Sequence, residues 1–284
     1  MRILVTGAGG FVGTAILKRL SAHDLVLPSR RRQNIAGPAG QIAPEFTEDL
    51  EALVAGHRPE IIINLLGILN ESGGETFEKV HFEYTRRLVD GAGKYGVRRF
   101  IQMSALGASA ASPSRYLSSK ARAEEYLQNS GLDHVIFRPS LIIGPGQKMF
   151  SDLRKLAAYS PFFPVPSDAL ATPVGLEDVA DCFASAALGG LGEGIYELAG
   201  TEEMSFKDIF RLALEYCGIN RPVLGLPRIF FYPLLPLFSL FPQPPMTREQ
   251  YLMLAGPNSP SGRYPGVKEI LGGIRDAFGP GRGG

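Results

Sequence analysis

An α/β fold with a doubly wound parallel sheet is the fold class that this sequence predicts. The opening residues 1–20 have the pattern of an apolar strand, a glycine turn and a helix. Short apolar strands then alternate with amphipathic helices along the chain, which is typical of parallel sheets. Beyond the strand predicted at 132–137, prolines become frequent, at Pro161, Pro164, Pro166 and Pro173. This change predicts a smaller C-terminal region that serves the substrate or docking.

The glycine turn lies between the first strand, at 3–5, and a helix that begins at Phe11. Gly7 permits a tight turn, Gly10 lets a phosphate approach the backbone, and Gly13 lets the helix pack close to the strand. Backbone N–H groups and the positive end of the helix dipole are then available to a pyrophosphate. The turn therefore predicts a dinucleotide site made of Gly7, Gly10 and Gly13. The alternative is a glycine-rich turn that binds nothing.

Three arginines follow the second predicted strand, at 25–27, and they are Arg30, Arg31 and Arg32. The end of this strand faces the adenosine ribose in dinucleotide-binding folds. An acidic residue there binds the 2′-hydroxyl of NAD, whereas arginines suit the 2′-phosphate of NADP. Because no acidic residue stands at this strand end, we expect NADP(H), with NAD(H) as the alternative. A solvated basic loop would produce the same pattern.

Apolar runs and helical spacing predict the remaining elements. In the first half they are a helix at 46–54, a strand at 60–66, a helix at 75–95, a strand at 98–103 and a helix that runs to Gln128. The helix at 75–95 should turn one face inward, formed by Phe77, Val80, His81, Tyr84 and Leu88. In the second half they are a strand at 132–137, a helix at 176–188, a strand at 194–198 and a helix at 205–217 that Ser205 caps.

Ser104, Tyr116 and Lys120 form the candidate catalytic set. Ser104 closes the strand at 98–103, and Tyr116 and Lys120 lie four residues apart on one face of the helix that follows. A lysine ammonium beside a phenol favours the phenolate, so we expect Tyr116 to exchange protons near neutral pH. Ser104 would polarise the substrate oxygen from the other side. Tyr-x-x-x-Lys alone is common and mostly structural, but its place behind a strand-end serine and the glycine turn favours the catalytic interpretation.

Charge and cysteine content exclude several classes of function. With 29 basic and 28 acidic residues the net charge is +1, which argues against nucleic acid as a partner. Cys182 and Cys217 lie far apart without metal-type spacing, so we expect buried free thiols and no metal site. The first strand begins at residue 3, leaving no room for a signal peptide, and no apolar run reaches the ~20 residues of a spanning helix. We expect a cytoplasmic protein.

One segment, residues 228–242, is almost wholly apolar and carries no charge after Arg228. Burial of each large side chain is worth ~1.5–3 kcal/mol, so full exposure to water is not expected. Pro233 and Pro236 interrupt the segment, and it is too short to span a bilayer. It is expected either to cover the core or line an apolar pocket, or to rest on a membrane or partner at the cytoplasmic membrane face.

Several motifs resemble a known superfamily. Residues 6–13 together with Ser104, Tyr116 and Lys120 resemble the short-chain dehydrogenase/reductase superfamily, of its extended or atypical kind. Further stretches are similar to the dehydrogenase-like accessory subunits of respiratory complex I and their bacterial relatives; they are 64–69, 103–108, 114–120, 138–140 with 144–145, 173–174 with 177–179, and 246–250. This resemblance spans most of the chain.

The resemblance implies a bound nicotinamide dinucleotide, usually NADPH. It carries over the glycine turn, together with Phe11 and Val12 at the start of the helix, for the phosphates, and Arg30 or Arg31 for the 2′-phosphate. It also implies that Leu66 and Gly67 lie along the ribose, that Tyr116 and Lys120 lie beside the nicotinamide ribose, and that Pro139 lines the nicotinamide end. His81 stands where many extended members have Asn, and as a lone His on an apolar helix face we interpret it as a core residue.

The predicted function is that of an NADP(H)-dependent oxidoreductase acting on a carbonyl or hydroxyl of a lipophilic or quinone-like substrate. The first alternative is a non-catalytic NADPH-binding accessory or assembly subunit of a complex I-type or quinone-biosynthesis assembly. A further alternative is a nucleotide-sugar epimerase or dehydratase. We expect a dinucleotide-binding Rossmann domain at 1–145, a smaller mixed α/β region at 146–278 that is interleaved with it, and a flexible tail at 279–284.

Overall fold

Short strands and helices alternate in the computed structural model, which describes residues 1–30, 41–240 and 244–279. The strands are Arg2–Thr6 (β1), Asp24–Val26 (β2), Ile61–Asn64 (β3), Arg99–Met103 (β4), His134–Pro139 (β5), Ile142–Ile143 (β6), Phe163–Pro166 (β7), Leu170–Ala171 (β8), Val174–Gly175 (β9), Gly194–Leu198 (β10), Met204–Ser205 (β11) and Val223–Leu226 (β12). The α-helices are Phe11–Arg19 (α1), Leu50–His57 (α2), Tyr84–Tyr95 (α3), Arg115–Gln128 (α4), Lys148–Ala157 (α5), Leu176–Ala187 (α6), Phe206–Tyr216 (α7), Leu235–Phe238 (α8), Arg248–Leu254 (α9) and Val267–Leu271 (α10).

The central sheet has six strands in the order β10-β5-β4-β3-β1-β2, and every neighbouring pair is parallel. This confirms the doubly wound α/β fold. From β1 the chain moves outward to β2, and it then returns to the other side of β1 to form β3. The strand order therefore reverses between β1 and β3, and in open α/β sheets ligands bind outside the carboxyl ends of strands at such a point.

Both faces of the sheet are buried, which explains why its strands are continuous apolar runs. Ile3 and Val5 face a core that also contains the inner sides of α1 and α6. Leu4 and Ile62 face the opposite core, which contains residues of α2, α3 and α4. Alternation along each strand thus divides its side chains between two helical layers.

The second half of the chain contributes to the sheet and also forms a third core. Strand β10 extends the sheet beyond β5, and α6 packs on α1. A separate cluster joins α5, β7 and α7 through Phe150, Phe163 and Leu214. The division of the chain at residue 145 stays a prediction.

The helix predicted at 46–54 was placed too early, because α2 spans Leu50–His57. The Asp49 side chain accepts a hydrogen bond from the Ala52 N–H at 2.9 Å and so sets the helix start. Phe46 lies before the helix, where the Arg30 guanidinium stacks 4.7 Å from its ring centroid and the Tyr84 ring meets it edge-on.

The helix predicted at 75–95 begins with a π-helical turn, Glu78–Glu83, before α3. Its predicted inner face is confirmed, because all five of its residues are buried: Phe77, Val80, His81, Tyr84 and Leu88. The Thr85 hydroxyl donates to the His81 carbonyl at 2.7 Å, which gives that carbonyl a side-chain partner inside the widened turn.

The other elements differ from prediction mainly at their ends. The strand at 194–198 is confirmed, and Ser205 caps α7 by accepting from the Asp208 N–H at 3.1 Å. The strands predicted at 25–27 and 132–137 are shifted to Asp24–Val26 and His134–Pro139, and the strand predicted at 60–66 is shortened to Ile61–Asn64. Cys182 and Cys217 are free thiols, and only Cys182 is fully buried. Arg31, Arg32 and the tail beyond Gly279 lie outside the described residues.

Candidate functional site

The glycine turn at the end of β1 gives each of its glycines a different environment. Gly7 has a φ of +71°, and a Cβ added there would lie 3.0 Å from the Leu65 backbone. A Cβ on Gly13 would lie 2.5 Å from the Ala8 carbonyl oxygen and 2.6 Å from that of Gly7. A Cβ on Gly10, which is exposed, would approach only the Gly7 carbonyl oxygen, at 3.1 Å. Gly7 and Gly13 therefore allow the backbone of the turn to pack closely on itself and on Leu65, whereas the outer side of Gly10 faces open space.

Helix α1 starts from this turn with its N-terminal groups available to an anion. Gly10 is the N-cap and has no side chain with which to cap the helix, and the first turn of the helix contains no acidic residue. The free N–H groups and the helix dipole favour negative charge at this end. The Val12 side chain is buried in the core, with Phe11 packed against it, so these residues would meet a phosphate through their backbone.

Lys120 lies beneath the carboxyl ends of two neighbouring strands. Its Nζ donates to the Leu66 carbonyl at 3.2 Å and to the Met103 carbonyl at 3.1 Å. Burial lowers the pKa of Lys120 to about 8, against a smaller opposing effect of Glu124. Gly67 is exposed directly beside it, since a Cβ there would lie 3.2 Å from Nζ. The ammonium is thus covered by backbone and by a residue without a side chain.

Tyr116 is partly buried one helical turn before Lys120. Its ring meets the rings of Phe77 and His81 edge-on, with centroids 5.9 Å and 5.1 Å away. Burial raises the pKa of Tyr116 to about 12. Lys120 was expected to lower this pKa, but burial raises it in this structure, where the Lys120 Nζ donates to two backbone carbonyls. The role of Tyr116 in proton exchange stays a prediction. The phenol is protonated at neutral pH and is suited to give a proton rather than to take one.

Ser104 follows β4 at the same edge of the sheet. Its N–H donates to the Phe137 carbonyl at 2.7 Å, and the residue is 3% exposed. Within the described ranges its Oγ has no hydrogen-bond partner. A buried hydroxyl without a partner is uncommon in folded proteins, which makes Ser104 a candidate for binding a ligand oxygen. Pro139 ends the neighbouring strand β5 and is buried, and its carbonyl accepts from the Leu106 N–H at 3.0 Å.

His81 has a partner on each ring nitrogen. Nε2 accepts from the Ile68 N–H at 3.1 Å, and Nδ1 lies 2.9 Å from the Ser119 Oγ. Burial and the nearby Lys120 charge lower the pKa of His81 to about 2, so the ring is neutral. The interpretation of His81 as a satisfied core residue is confirmed.

A buried polar network that the sequence did not reveal joins the strand ends. The Thr6 hydroxyl donates to Asn64 Oδ1 at 2.6 Å. Asn64 Nδ2 donates to Gln102 Oε1 at 2.9 Å and to Thr85 Oγ1 at 3.0 Å. These bonds cross from β1 through β3 to β4 and reach α3. They hold the carboxyl ends of three strands in register with the helix that covers them.

Arg30 lies on the chain that continues β2, beside a carboxylate that comes from elsewhere in the sequence. Its guanidinium lies 3.0 Å from Glu75 Oε2. The acidic residue missing from the strand end is therefore supplied by the loop after β3, and no local sequence signal marks it. Arg31, the second candidate for the 2′-phosphate, falls in the undescribed stretch.

Two further carboxylates hold α4, and sequence reasoning assigned neither a role. Glu249 of α9 accepts from the Arg115 N–H at 2.9 Å and from the Ser114 hydroxyl at 3.1 Å, so it closes the N-terminus of α4 just before Tyr116. Glu124, one turn after Lys120, is buried and accepts from Arg138 of β5 at 3.0 Å. Both contacts join residues distant in sequence, so helical periodicity could not reveal them.

The apolar segment 228–242 divides into anchored and exposed residues. Phe231 and Leu235 are buried, and Arg228 fixes the start of the segment by donating to Asp168 Oδ2 at 3.1 Å. Six large side chains between 229 and 240, each 41% to 78% exposed, form what we call the exposed apolar face: Ile229, Phe230, Tyr232, Leu234, Leu237 and Leu240. No helix in the described part of the chain is long and apolar enough to cross a bilayer.

Comparison with protein families and curated relatives gives matches that agree with this geometry. A family model described as NAD(P)H-binding matches residues 7–151, just over half of the chain. Subunit 9 of the mitochondrial NADH dehydrogenase [ubiquinone] 1 alpha subcomplex from Arabidopsis thaliana is 29% identical over 222 residues, which are 72% of this chain and 54% of the relative. A ceramide reductase from Caulobacter vibrioides is 30% identical over 175 residues, 58% of this chain and 54% of the relative. The chain spans about half the length of these relatives.

A solved structure supports the fold. The UDP-glucose 4-epimerase of Thermus thermophilus in complex with NAD superposes with a TM-score of 0.64 at 23% identity, covering 89% of this chain and 97% of that one. At this identity the likeness establishes the fold alone.

The two glycines at 10 and 13 allow a matched test of the turn. Gly13→Ala should destabilise the protein by roughly 1–3 kcal/mol, because its Cβ meets two carbonyl oxygens. Gly10→Val should abolish dinucleotide binding while lowering Tm by only about 3 °C or less, because its outer side is open. Thermal unfolding and dinucleotide titration of both variants measure this. Unchanged binding in Gly10→Val would refute the assignment of the turn.

Burial of Lys120 should make stability depend on pH. Its folded pKa of about 8 lies below the ordinary 10.5, so between these values the unfolded chain holds a proton that the folded protein has released. The stability of the parent should therefore rise with pH through this window. The reference is the variant Lys120→Met, which has no charge at this position and lacks this contribution. When Tm is measured for both proteins from pH 7 to 10.5, the Tm of the parent should rise relative to that of the variant. A constant difference would contradict the burial of a charged Lys120.

Proposed function

This chain belongs to the NAD(P)H-binding family, and from that premise we propose that it is an oxidoreductase that moves hydride between a nicotinamide dinucleotide and a carbonyl or hydroxyl carbon. One observation carries the proposal. The Ser104 hydroxyl, which has no partner in the described part of the chain, directly follows β4. The protonated phenol of Tyr116 and the ammonium of Lys120 are on α4, at the sheet edge that also bears the glycine turn.

In this proposal each group has a separate role in the reduction of a carbonyl. The bound dinucleotide supplies the hydride, which the carbonyl carbon accepts. The Tyr116 hydroxyl gives its proton to the carbonyl oxygen, while the Ser104 hydroxyl donates a hydrogen bond to the same oxygen and orients it. Lys120 uses two of its three N–H donors on Leu66 and Met103, and the third is available to a ribose hydroxyl.

For the cofactor we propose NADP(H) in preference to NAD(H). The support is Arg30, whose side chain is 53% exposed and stacks on Phe46 at the continuation of β2. A planar guanidinium held in place by an aromatic ring is suited to a phosphate. The glycine turn would hold the pyrophosphate, and Leu66, Gly67 and Pro139 are the proposed neighbours of the ribose and nicotinamide.

For the substrate we propose a lipophilic or quinone-like carbonyl compound. A relative that is named ceramide reductase supports a lipid-like substrate, since ceramide is a lipid. The likeness to a UDP-glucose 4-epimerase leaves a nucleotide-sugar reaction as an alternative that rests on fold alone.

A second function, a non-catalytic NADPH-binding subunit that docks at a membrane-bound respiratory or quinone-making assembly, is favoured by the exposed apolar face. Its six large side chains lie in a run, residues 229–247, that carries no charged residue. Exposed apolar patches of this kind mark contact with a membrane or a partner. The relative named as an NADH dehydrogenase subunit agrees with such a role. The corresponding position is peripheral at the cytoplasmic membrane face.

Tyr116→Phe separates the enzyme from the docking subunit. The variant should bind NADPH as the parent does, because the ring is kept, but it should lose about a hundredfold or more in NADPH oxidation. The measurement is the nicotinamide absorbance of NADPH-loaded protein mixed with a lipid-and-metabolite extract. NADPH that stays reduced in both proteins, or is oxidised equally by both, would contradict catalysis by Tyr116.

The exposed apolar face should be separable from the residues that anchor it. The triple variant Phe230→Ser, Leu237→Ser and Leu240→Ser should lose association with phosphatidylcholine and phosphatidylglycerol vesicles while keeping the parent Tm, because these side chains are exposed. Phe231→Ser is the matched control and should lower stability by about 3 kcal/mol or more, because Phe231 is buried. Equal vesicle association of the triple variant and the parent would contradict the docking role.

A further inference from the structure

Four charged side chains, Arg30, Glu75, Lys79 and Glu48, form a chain of ion pairs beside the continuation of β2. Glu75 lies 3.0 Å from the Arg30 guanidinium and 3.4 Å from Lys79 Nζ. Lys79 in turn lies 2.7 Å from Glu48 Oε1. The network holds two cations and two anions, so among these four residues the charge of Arg30 is balanced before any ligand binds.

The position of Glu75 is set by its backbone and by its neighbours. Ser72 and Glu75 exchange backbone hydrogen bonds of 3.0 and 3.2 Å across Gly73 and Gly74, whose φ values are +58° and +81°. Positive φ at both central positions is the geometry of a tight hairpin turn that glycine favours. The Tyr84 hydroxyl also donates to Glu75 Oε1 at 3.4 Å. Glu75 is therefore presented to Arg30 by a constrained turn.

We propose that Glu75 is a specificity-determining residue for the dinucleotide, which restrains the preference for a 2′-phosphate and keeps NAD(H) acceptable. This inference rests on the proposed function, in which Arg30 meets the adenosine ribose. A 2′-phosphate would have to compete with the Glu75 carboxylate for Arg30, and the two anions would repel each other. The 2′-hydroxyl of NAD(H) is neutral and meets no such repulsion.

Burial makes the effect of Glu75 on a ligand larger than that of an ordinary surface acid. Its side chain is 19% exposed, so water and salt screen its charge less than they screen the half-exposed Arg30. The ion pair itself contributes little to stability, because partly exposed pairs are worth about 0–1 kcal/mol. Removing the charge of Glu75 should therefore alter ligand choice without unfolding the protein.

The test compares NADPH and NADH affinities of the full chain by equilibrium fluorescence titration. Glu75→Gln keeps the size and the acceptor oxygen, and it should raise the affinity for NADPH over NADH roughly tenfold, with NADH binding nearly unchanged. Glu48→Gln is the matched control, because Glu48 pairs with Lys79 in the same network, and it should leave the preference unchanged. Arg30→Ala should weaken NADPH binding and spare NADH. The gain in Glu75→Gln should shrink as salt is raised.

The outcomes separate this inference from the proposed function. If Glu75→Gln keeps the parent's preference between the two dinucleotides, whether or not its Tm is lowered, the role of Glu75 in specificity is refuted while dinucleotide binding stands. If Glu48→Gln shifts the preference as strongly, the effect is one of net charge and the specific role is again refuted. If the parent binds neither dinucleotide, the proposed function fails, and this inference fails with it.

Discussion

The ammonium group of Lys120 is the interaction on which the rest of the site depends. A buried charge is costly unless it is hydrogen-bonded, and here the carbonyls of Leu66 and Met103 solvate it. Those carbonyls lie at the ends of β3 and β4, so the same bonds that stabilise the charge fasten α4 to the sheet. Helix α4 carries Tyr116, and its other contacts reinforce this position. Glu249 closes its N-terminus, and the buried pair of Glu124 and Arg138 joins its middle to β5.

The carboxyl edge of the sheet presents backbone groups in one region and polar side chains in another. Between β1 and β3, where the strand order reverses, the glycine turn presents only backbone, which suits a pyrophosphate that must approach closely. Between β3 and β5, the groups that we propose for the chemistry are side chains: the Ser104 hydroxyl, which has no partner among the described residues, and the protonated Tyr116 phenol. The Thr6–Asn64–Gln102 network lies under both regions and keeps the strand ends in register. A rigid apolar sheet thus supports a polar edge.

The fold could be predicted from sequence because its signals are local. Apolar runs, helical spacing and the glycine turn each lie within about twenty residues, and all of them point to the same parallel sheet. The electrostatics of the site could not be predicted. Lys120 was expected to lower the pKa of Tyr116, but its donors face two carbonyls, and burial raises that pKa instead. Glu75 reaches Arg30 from the loop after β3, and Glu249 of α9 reaches the N-terminus of α4. Composition and periodicity do not encode these distant pairings.

A crystal structure of the protein with NADPH tests the central claim most directly. Our account predicts the pyrophosphate against the backbone of the first turn of α1, the nicotinamide ribose beside Lys120, and the carboxamide end near Ser104 and Pro139. The ammonium of Lys120 should keep its two carbonyl partners. A dinucleotide bound elsewhere would contradict the account, for instance in the surface groove between α3 and α4 that Phe82, Arg122 and Tyr126 line. So would a dinucleotide on the glycine turn whose nicotinamide points away from Tyr116.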